Sequence, residues 1–530
     1  MTYRLGIDVG GTNTDAVILD EQLHVVTSTK VHTTTDIETG IYTSMKAVLN
    51  QTKIDPAEVT AAMLGTTQCT NAIVERKQLA NVGVIRLGYP ASLSIVPYTA
   101  WPADMISVLS GKYKIVHGGF EYNGEPITPL DLEELAGVLD DWQGQVESIA
   151  IVGIFSAIRP EQEEKVAEII RQKYGTDFPI SMSAAIGSIG LIERENATIL
   201  NAALNKVMQR TANGFQNALA NEGLVNAQAY FCQNDGTLMS VDYAKKYPIL
   251  TIGSGPTNSI RGAAYLAQVQ DTIVLDIGGT TSDVGVLSKG FPRESAVAVR
   301  VGGIRTNFRM PDINSIGVGG GSIVRQDKAG RITVGPDSVG YQIEDKALVF
   351  GGDTITATDI AVRLGYAEVG DVTLVQHLSE AFARQAGEKI AEMLAEAIDQ
   401  MKTSRDDVQL VLVGGGAIIA PSTLKGVRKI IKNEQGPVAN AIGATIAQIG
   451  SDFEKIYSYE QVDRAQALTD AKAQASTRAV TAGADTASLN LVEVDETPLA
   501  YAPGQTTKVR VKVVGELAQR GKVVTATSKQ

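Results

Sequence analysis

Two short stretches set aspartate beside paired glycines and threonines: Ile7-Asp8-Val9-Gly10-Gly11-Thr12-Asn13-Thr14-Asp15 and, 268 residues on, Asp276-Ile277-Gly278-Gly279-Thr280-Thr281-Ser282-Asp283. Adjacent glycines let a turn adopt backbone angles denied to other residues and bring bare amides close to phosphate oxygens. Threonine hydroxyls add donors, and an aspartate at the end of the first strand can hold a magnesium ion, usually through water. On these grounds Gly10, Gly11, Thr12, Thr14, Gly278, Gly279, Thr280 and Thr281 are phosphate-binding candidates. Asp8 and Asp276 would manage magnesium or the attacking group. A single such turn is an ordinary tight hairpin; two facing each other would grip one nucleoside triphosphate from both sides. A third glycine turn, Val413-Gly414-Gly415-Gly416-Ala417, follows an apolar strand and precedes Pro421, and Gly414, Gly415 and Gly416 would face adenosine. No Gly-x-x-x-x-Gly-Lys-[Ser/Thr] run occurs, and no Gly-x-Gly-x-x-Gly opens a helix after a first strand, so this is neither a P-loop nor a dinucleotide fingerprint.

The elements that must position these residues follow from the flanking pattern. Apolar runs Leu5 to Val9 and Thr272 to Ile277 enter the two turns, and Ala16 to Leu19 and Val284 to Leu287 leave them, so both read as β-hairpins. After a further strand, Leu23 to Val31, comes a helix around Ile37 to Leu49. Residues 129 to 200 alternate as βαβ: a helical run over Leu130 to Trp142, a strand within Val146 to Phe155, Pro160 at a helix start before Glu161 to Tyr174, and a strand at Pro179 to Ser183. Gly253-Ser254-Gly255-Pro256 opens a helix that runs to Gln268, and a helix start preceded by glycines is a natural anion site. Helical spacing over Leu378 to Met401 feeds the strand Leu410 to Val413. From Ser451 onward a polar, Ala-rich helical run is expected, then strand-like segments at Ser488 to Val494 and Thr507 to Val513.

Composition sets the bounds. With 530 residues there is ample material for large cores. A formal charge of -12, with Lys and Arg dispersed, argues against a nucleic-acid partner. Cys69 and Cys232 are the only cysteines, which excludes a disulfide scaffold and gives no case for a cysteine-ligated cluster. No leader pattern opens the chain and no apolar run reaches the roughly 18 residues a membrane span needs, so a cytoplasmic location without membrane association is expected. Four histidines, no Gly-x-Ser-x-Gly elbow and no two-His zinc motif leave no hydrolytic triad in view.

Phosphate turn, phosphate turn, then a glycine-rich adenosine turn is the order of the actin-like ATPase superfamily, which this chain resembles. A narrower resemblance lies in Gly65-Thr66-Thr67-Gln68-Cys69-Thr70-Asn71-Ala72-Ile73-Val74-Glu75-Arg76-Lys77, in Glu193-Arg194 through Ala202, in Ser315-Ile316-Gly317-Val318-Gly319-Gly320-Gly321-Ser322-Ile323, in Gly351-Gly352 through Asp359, and in Gly436-Pro437 through Ala444. These segments are similar to those of the hydantoinase/oxoprolinase family, in its hydantoinase A-type subunit, over residues 3 to about 450. Tyr341 to Phe350 stands where the family commonly has Pro-Gly-Pro-Ala-Cys-Tyr-Gly.

The resemblance implies an α/β protein with the actin-like ATPase fold: two lobes with duplicated RNase H-like cores around a nucleotide cleft. The expected division is 1–200 for the first lobe with insertions, 201–450 for the second, and 451–530 for a small C-terminal α+β appendage. It implies ATP and Mg2+, and a subunit that phosphorylates the carbonyl oxygen of a cyclic amide before hydrolysis. Thr66, Thr67, Asn71, Glu75 and Arg76 are then candidates for substrate or lobe-closure contacts, with Asp359 a further one. Family members usually act with a second hydrolytic subunit or domain, so a separate protein partner is expected. An ATP-dependent carboxylase subunit and a non-enzymatic nucleotide switch are the alternatives.

Overall fold

The computed structural model describes residues 1–10, 13–33, 37–187, 189–295, 298–308, 310–499 and 504–518. Both expected hairpins form. Tyr3–Val9 pairs antiparallel with Asn13–Leu19, which pairs with Val25–His32; on its other side Tyr3–Val9 runs parallel to Val59–Thr66, itself parallel to Gln228–Cys232. Thr272–Ile277 repeats the wiring, antiparallel to Ser282–Ser288 and parallel to Val408–Val413, which is parallel to Val427–Lys432. The first strands are nearly continuous apolar runs because both faces are covered: Leu5, Ile7 and Val9 are buried in one core, Leu275 and Ile277 in the other. The duplicated core is thus the one the resemblance implied.

Inserted in the chain between Val59–Thr66 and Gln228–Cys232, two neighbouring strands of the first sheet, is an all-parallel sheet in the order Lys112–His117, Val82–Tyr89, Ser148–Gly153, Ile180–Met182. It is pinned to the 31-residue helix Leu191–Asn221 by an ion pair: Arg86 and Glu195, 2.6 Å apart, are 0% and 1% exposed. Arg194 adds a hydrogen bond to the Gly153 carbonyl at 2.6 Å. Removing one partner of so buried a pair strands the other charge, at a cost of about 3–5 kcal/mol.

The C-terminal segment begins differently from expectation. Residues Ile449–Ser458 form a strand, not a helix, with Ser451, Phe453 and Tyr457 buried on one of its faces. The helix comes later, Arg464–Thr481, seated through Ala467, Ala471, Ala475 and Ala479 at four-residue spacing. Through Leu238–Ser240, the strands Ile449–Ser458, Thr506–Gly515 and Asn490–Pro498 extend the first sheet to nine strands. Sheet membership therefore does not follow the boundaries at 200 and 450: 228–240 and 449–515 both join the sheet begun at Tyr3.

Two helices cross between the cores. Ser254–Ala267 and Ala439–Thr445 meet at Gly262 and Gly443, where a Cβ would collide with the backbone carbonyls of Ala439 and Asn258 respectively. Only a residue without a side chain permits so close an approach. This crossing fixes Asn258, Ser259 and Asn440 in the space between the hairpins.

Candidate active site

The two hairpins close with the same bond: Gly10 N–H donates to Asn13 O at 3.0 Å, and Gly278 N–H to Thr281 O at 2.9 Å. Behind each turn the register sets an aspartate opposite an aspartate, Asp8 with Asp15 and Asp276 with Asp283. Like charges facing across a strand pair are destabilising, so each pair needs help from outside its hairpin.

That help comes largely from one helix. Asn258 donates to Asp8 Oδ1 at 3.1 Å, and its neighbour Ser259 donates to Asp276 Oδ2. Asn440, on the crossing helix, donates to Asp8 Oδ2 at 3.0 Å. Lys30, on the third strand, meets Asp15 Oδ1 at 2.5 Å and also bears electrostatically on Asp276. Asp8 is 3% exposed. Burial pushes its carboxyl up to about 6, the Asn258 amide working against this and the Asp15 charge with it. Burial likewise lifts Asp283 to about 6, opposed by the Ser315 hydroxyl and aided by the Asp276 charge. Asp15 and Asp276 are also raised, again chiefly by burial. The four carboxylates repel one another, and an ion held among them through water would relieve that repulsion; no three of them bring oxygens close enough together to ligate one ion directly, the one such group among the described residues being His117, Asp131 and Glu134.

The second turn is braced from beneath. Gly320 N–H donates to Gly278 O at 3.0 Å and Gly321 N–H to Gly279 O at 2.7 Å, leaving Thr280 and Thr281 exposed. The string 315–323 is thus the floor of the turn. Gly416 N–H reaches Ile277 O at 2.7 Å, and at Gly414, φ +88°, a Cβ would collide with Asp276 Oδ1. The third turn therefore lies directly against the second, with Gly415 exposed.

The remaining residues singled out from sequence divide. Gly11 and Thr12 lie outside the described residues. Thr14 is fully buried, its hydroxyl 3.2 Å from that of Thr33, which donates to Gly10 O at 2.9 Å; it holds the turn's shape. Thr66 is buried and accepts from Gln68 N–H at 3.2 Å. Thr67 donates to Val9 O at 3.3 Å and accepts from Asn71 at 3.4 Å, so this pair stands at the exit of the first strand. Glu75 points outward and pairs with Lys77 at 3.2 Å. Arg76 meets Asp104 at 3.1 Å and donates to Gly302 O at 2.8 Å, a contact between the first core and the excursion of the second. Asp359 is wholly buried and caps its own helix: Oδ2 accepts from the Thr356 amide at 2.6 Å and hydroxyl at 2.7 Å, and Oδ1 from Val349 N–H at 2.7 Å. Its oxygens are spent, and the helix it caps presents Thr358 to Gly320 O at 2.9 Å.

Sequence reasoning passed over Asp15, Asp283, Lys30, Asn258, Ser259 and Asn440. The two aspartates were legible, since a hairpin closed by Gly10 and Asn13 places Asp15 across from Asp8. Lys30 arrives by strand pairing, directly opposite Asp15 on the third strand; Asn258, Ser259 and Asn440 reach the site only through the crossing helices.

The hydantoinase/oxoprolinase N-terminal region model matches residues 4–174, and the hydantoinase/oxoprolinase model matches 194–373. The caprolactamase subunit alpha of Pseudomonas jessenii is 27% identical over 454 residues, covering 81% of this chain and 62% of that one. The chain thus spans about three-fifths of that relative's length. The acetophenone carboxylase gamma subunit of Aromatoleum aromaticum is 26% identical over 521 residues, covering 87% and 69%. The crystal structure of the ATP-dependent caprolactamase from Pseudomonas jessenii superposes with a TM-score of 0.77 at 20% identity, over 97% of this chain and 88% of that one, a likeness of fold. Among the described residues no helix is long and apolar enough to cross a membrane. With duplicated hairpin cores, paired aspartates and two family models that together span most of residues 4–373, the chain belongs to the hydantoinase/oxoprolinase family.

Proposed function

We propose that this chain is the ATP-dependent subunit of a ring-opening amidohydrolase, and that it phosphorylates the carbonyl oxygen of a cyclic amide. The observation that carries this reading is the joining of the two hairpins: Asp8 and Asp276 are held by consecutive side chains, Asn258 and Ser259, so both turns serve one site. An amide carbonyl is a poor electrophile. Transfer of the γ-phosphoryl group to its oxygen releases ADP and makes that oxygen a leaving group; water then adds to the ring carbon, the ring nitrogen takes a proton and departs as the C–N bond opens, and a second water hydrolyses the resulting acyl phosphate to carboxylate and phosphate. Such a step needs positioning and charge neutralisation more than a protein nucleophile.

Within the reading, the turns at Gly10 and at Gly278–Thr281 would cradle the phosphates and Gly414–Gly416 the adenosine. Asp8 and Asp276 would hold Mg2+, with Asp15 and Asp283 behind them. That ion supplies neutralisation of charge on the transferring group. Asn258, Ser259 and Asn440 orient the carboxylates. The water step is assigned to a separate protein, in keeping with a relative that is itself named as a subunit.

The test is ADP release by the purified chain with ATP and magnesium against hydantoins, 5-oxoproline, lactams and bicarbonate, with phosphorus NMR to catch a phosphorylated product. Stimulation by a cyclic amide is the expected result. The acetophenone carboxylase relative favours a second reading, an ATP-dependent carboxylase subunit; turnover that depends on bicarbonate and ignores amides would select it.

A further inference from the structure

The C-terminal segment, which carries no motif, lines a cavity of about 130 Å³. Its walls include Ala184 to Gly187 after the inserted sheet, the turn at Gln233 to Asp235, Leu250, Asn307 and Phe308 of the second half, and Ser451, Asp452 and Arg478. The turn follows the strand Gln228–Cys232, so it lies on the same carboxyl edge of the parallel strands as Asp8 and Thr66, the edge where open α/β sheets bind ligands. It is tied to the site's own helix, Thr257 donating to Asn234 O at 2.9 Å one residue before Asn258 and Ser259 reach the aspartates.

Three buried atoms on these walls have no hydrogen-bond partner: Ser451 Oγ, in a side chain 7% exposed, Asn307 Oδ1, and Asp452 Oδ1, of which only the last faces a cation, Arg510 at 3.1 Å. The amide of Asn307 has a fixed sense, because its Nδ2 donates to Gly190 O at 3.3 Å and reversal would set oxygen against oxygen. Gly187 makes room for the carbonyl end, since a Cβ there would stand 2.6 Å from Oδ1. An acceptor left open in a buried wall is costly unless something donates to it. The charges nearby are already answered: Asp235 by Lys512 at 2.8 Å, Asp452 by Arg510 at 3.1 Å, Glu454 by Lys508 at 3.4 Å. Arg478 donates to Asp452 O at 3.2 Å and lies over the Phe453 ring. Ala184, Ile186, Leu250 and Phe308 supply apolar surface. The lining thus asks for a small, neutral, partly hydrocarbon molecule that carries an N–H donor.

We propose that this cavity is the acceptor pocket, and that it selects a cyclic amide by taking its ring N–H on Asn307 Oδ1 while the Ser451 hydroxyl makes a second hydrogen bond. The assignment rests on the phosphoryl-transfer reading above for its purpose, but not for its test. It also separates the two readings of the family, because a ketone has no N–H to offer and would leave Asn307 unanswered.

The experiment is calorimetric titration of the full chain, without nucleotide, using 2-pyrrolidone, ε-caprolactam and the N-methyl derivative of each. The N–H compounds should bind and their N-methyl forms at least tenfold more weakly, a comparison made on unaltered protein. Asn307→Leu and Ser451→Leu should each weaken binding at least tenfold with circular dichroism unchanged. Equal binding of N–H and N-methyl ligands, full binding by both variants, or no binding at all, meaning that water alone fills the cavity, would each overturn the pocket. ADP release stimulated by lactam and undiminished in both variants would overturn the pocket while leaving phosphoryl transfer in place. Lactam binding lost in the variants, with no stimulated ADP release from the unaltered chain under any condition, would instead sustain the pocket and count against phosphoryl transfer.

Discussion

Two clusters of four acids stand in this molecule, and they are treated in opposite ways. At the junction with the C-terminal strands, Asp235, Glu294, Asp452 and Glu493 surround Arg510 and Lys512 at 2.7 to 3.1 Å. There the Lys512 ammonium outweighs the burial penalty on Asp235 and draws its carboxyl down to about 2. Between the hairpins, Lys30 pairs with Asp15 and acts on Asp276, while Asp8 and Asp283 have no such cation among the described residues, and burial drives both up to about 6. Acids matched by cations within the chain hold structure together. Acids left short of cations raise one another's proton affinity instead and bear the cost in stability; in the proposed function, a cation from outside would relieve it.

The sharpest way to break that contrast is to remove a cation from the matched cluster. Lys512→Met strands Asp235 in a buried site, and the chain should lose about 3–5 kcal/mol in urea denaturation; a loss under about 1 kcal/mol would mean the pair is not structural. The mirror experiment neutralises an acid in the unmatched cluster. Asp8→Asn and Asp276→Asn should lower ATP turnover by about 10²–10³-fold, a magnitude typical of losing one electrostatic group at a reacting centre. Their thermal midpoints without ligand should be no lower than the unaltered protein's, and unfolded variants would defeat the functional assignment.

Ligand linkage comes next in size. Magnesium with ATP at 100 times its dissociation constant should stabilise the chain by about 2.7 kcal/mol. Scanning calorimetry should show that gain reduced in Asp8→Asn and retained in Lys512→Met, if the latter folds; equal gains in all three would erase the distinction between the clusters.

The effect of pH has opposite signs in the two regions. Asp8 and Asp283 take protons in the folded state near 6, above the 3.8 of a free aspartate, so the folded chain binds more protons between those values and gains stability as pH falls from 7 toward 5. Asp235 is depressed, so its contribution is present above about pH 4 and is lost as pH falls through its folded value. Urea denaturation of the unaltered chain between pH 7 and 5 should therefore show a steeper rise than Asp8→Asn; parallel profiles would show Asp8 already ionised. The smallest effect belongs to Glu75→Gln, an exposed partner of Lys77, which should change stability by about 0.5 kcal/mol or less and leave ADP release alone.

Much of the fold was legible because its signals are local. Glycine pairs between apolar runs mark both hairpins wherever the rest of the chain goes, and helices such as Glu161–Tyr174 and Glu380–Met401 fall where their periodicity puts them. Thr14 shows the limit: it lies opposite Val9 in the register, which turns its hydroxyl beneath the turn. Asp359 resembled a ligand by its place in a family segment, while its geometry is that of a capping box. The strand Ile449–Ser458 was hidden by the alanines that follow it, whose spacing belongs to the helix starting at Arg464. Asn258 and Ser259 gave no local signal, because what they do depends on a crossing helix far away in sequence.

The crossing also bears on how such a chain can change over generations. Asn258, Ser259 and Gly262 sit on a single stretch of helix, two of them gripping the hairpins and the third in backbone contact with Ala439. One residue inserted among them would rotate everything downstream by about 100°, carrying either the grip or the contact out of place. Length can drift in surface excursions and in the inserted sheet, but this short span is a gauge whose count of residues is itself under constraint.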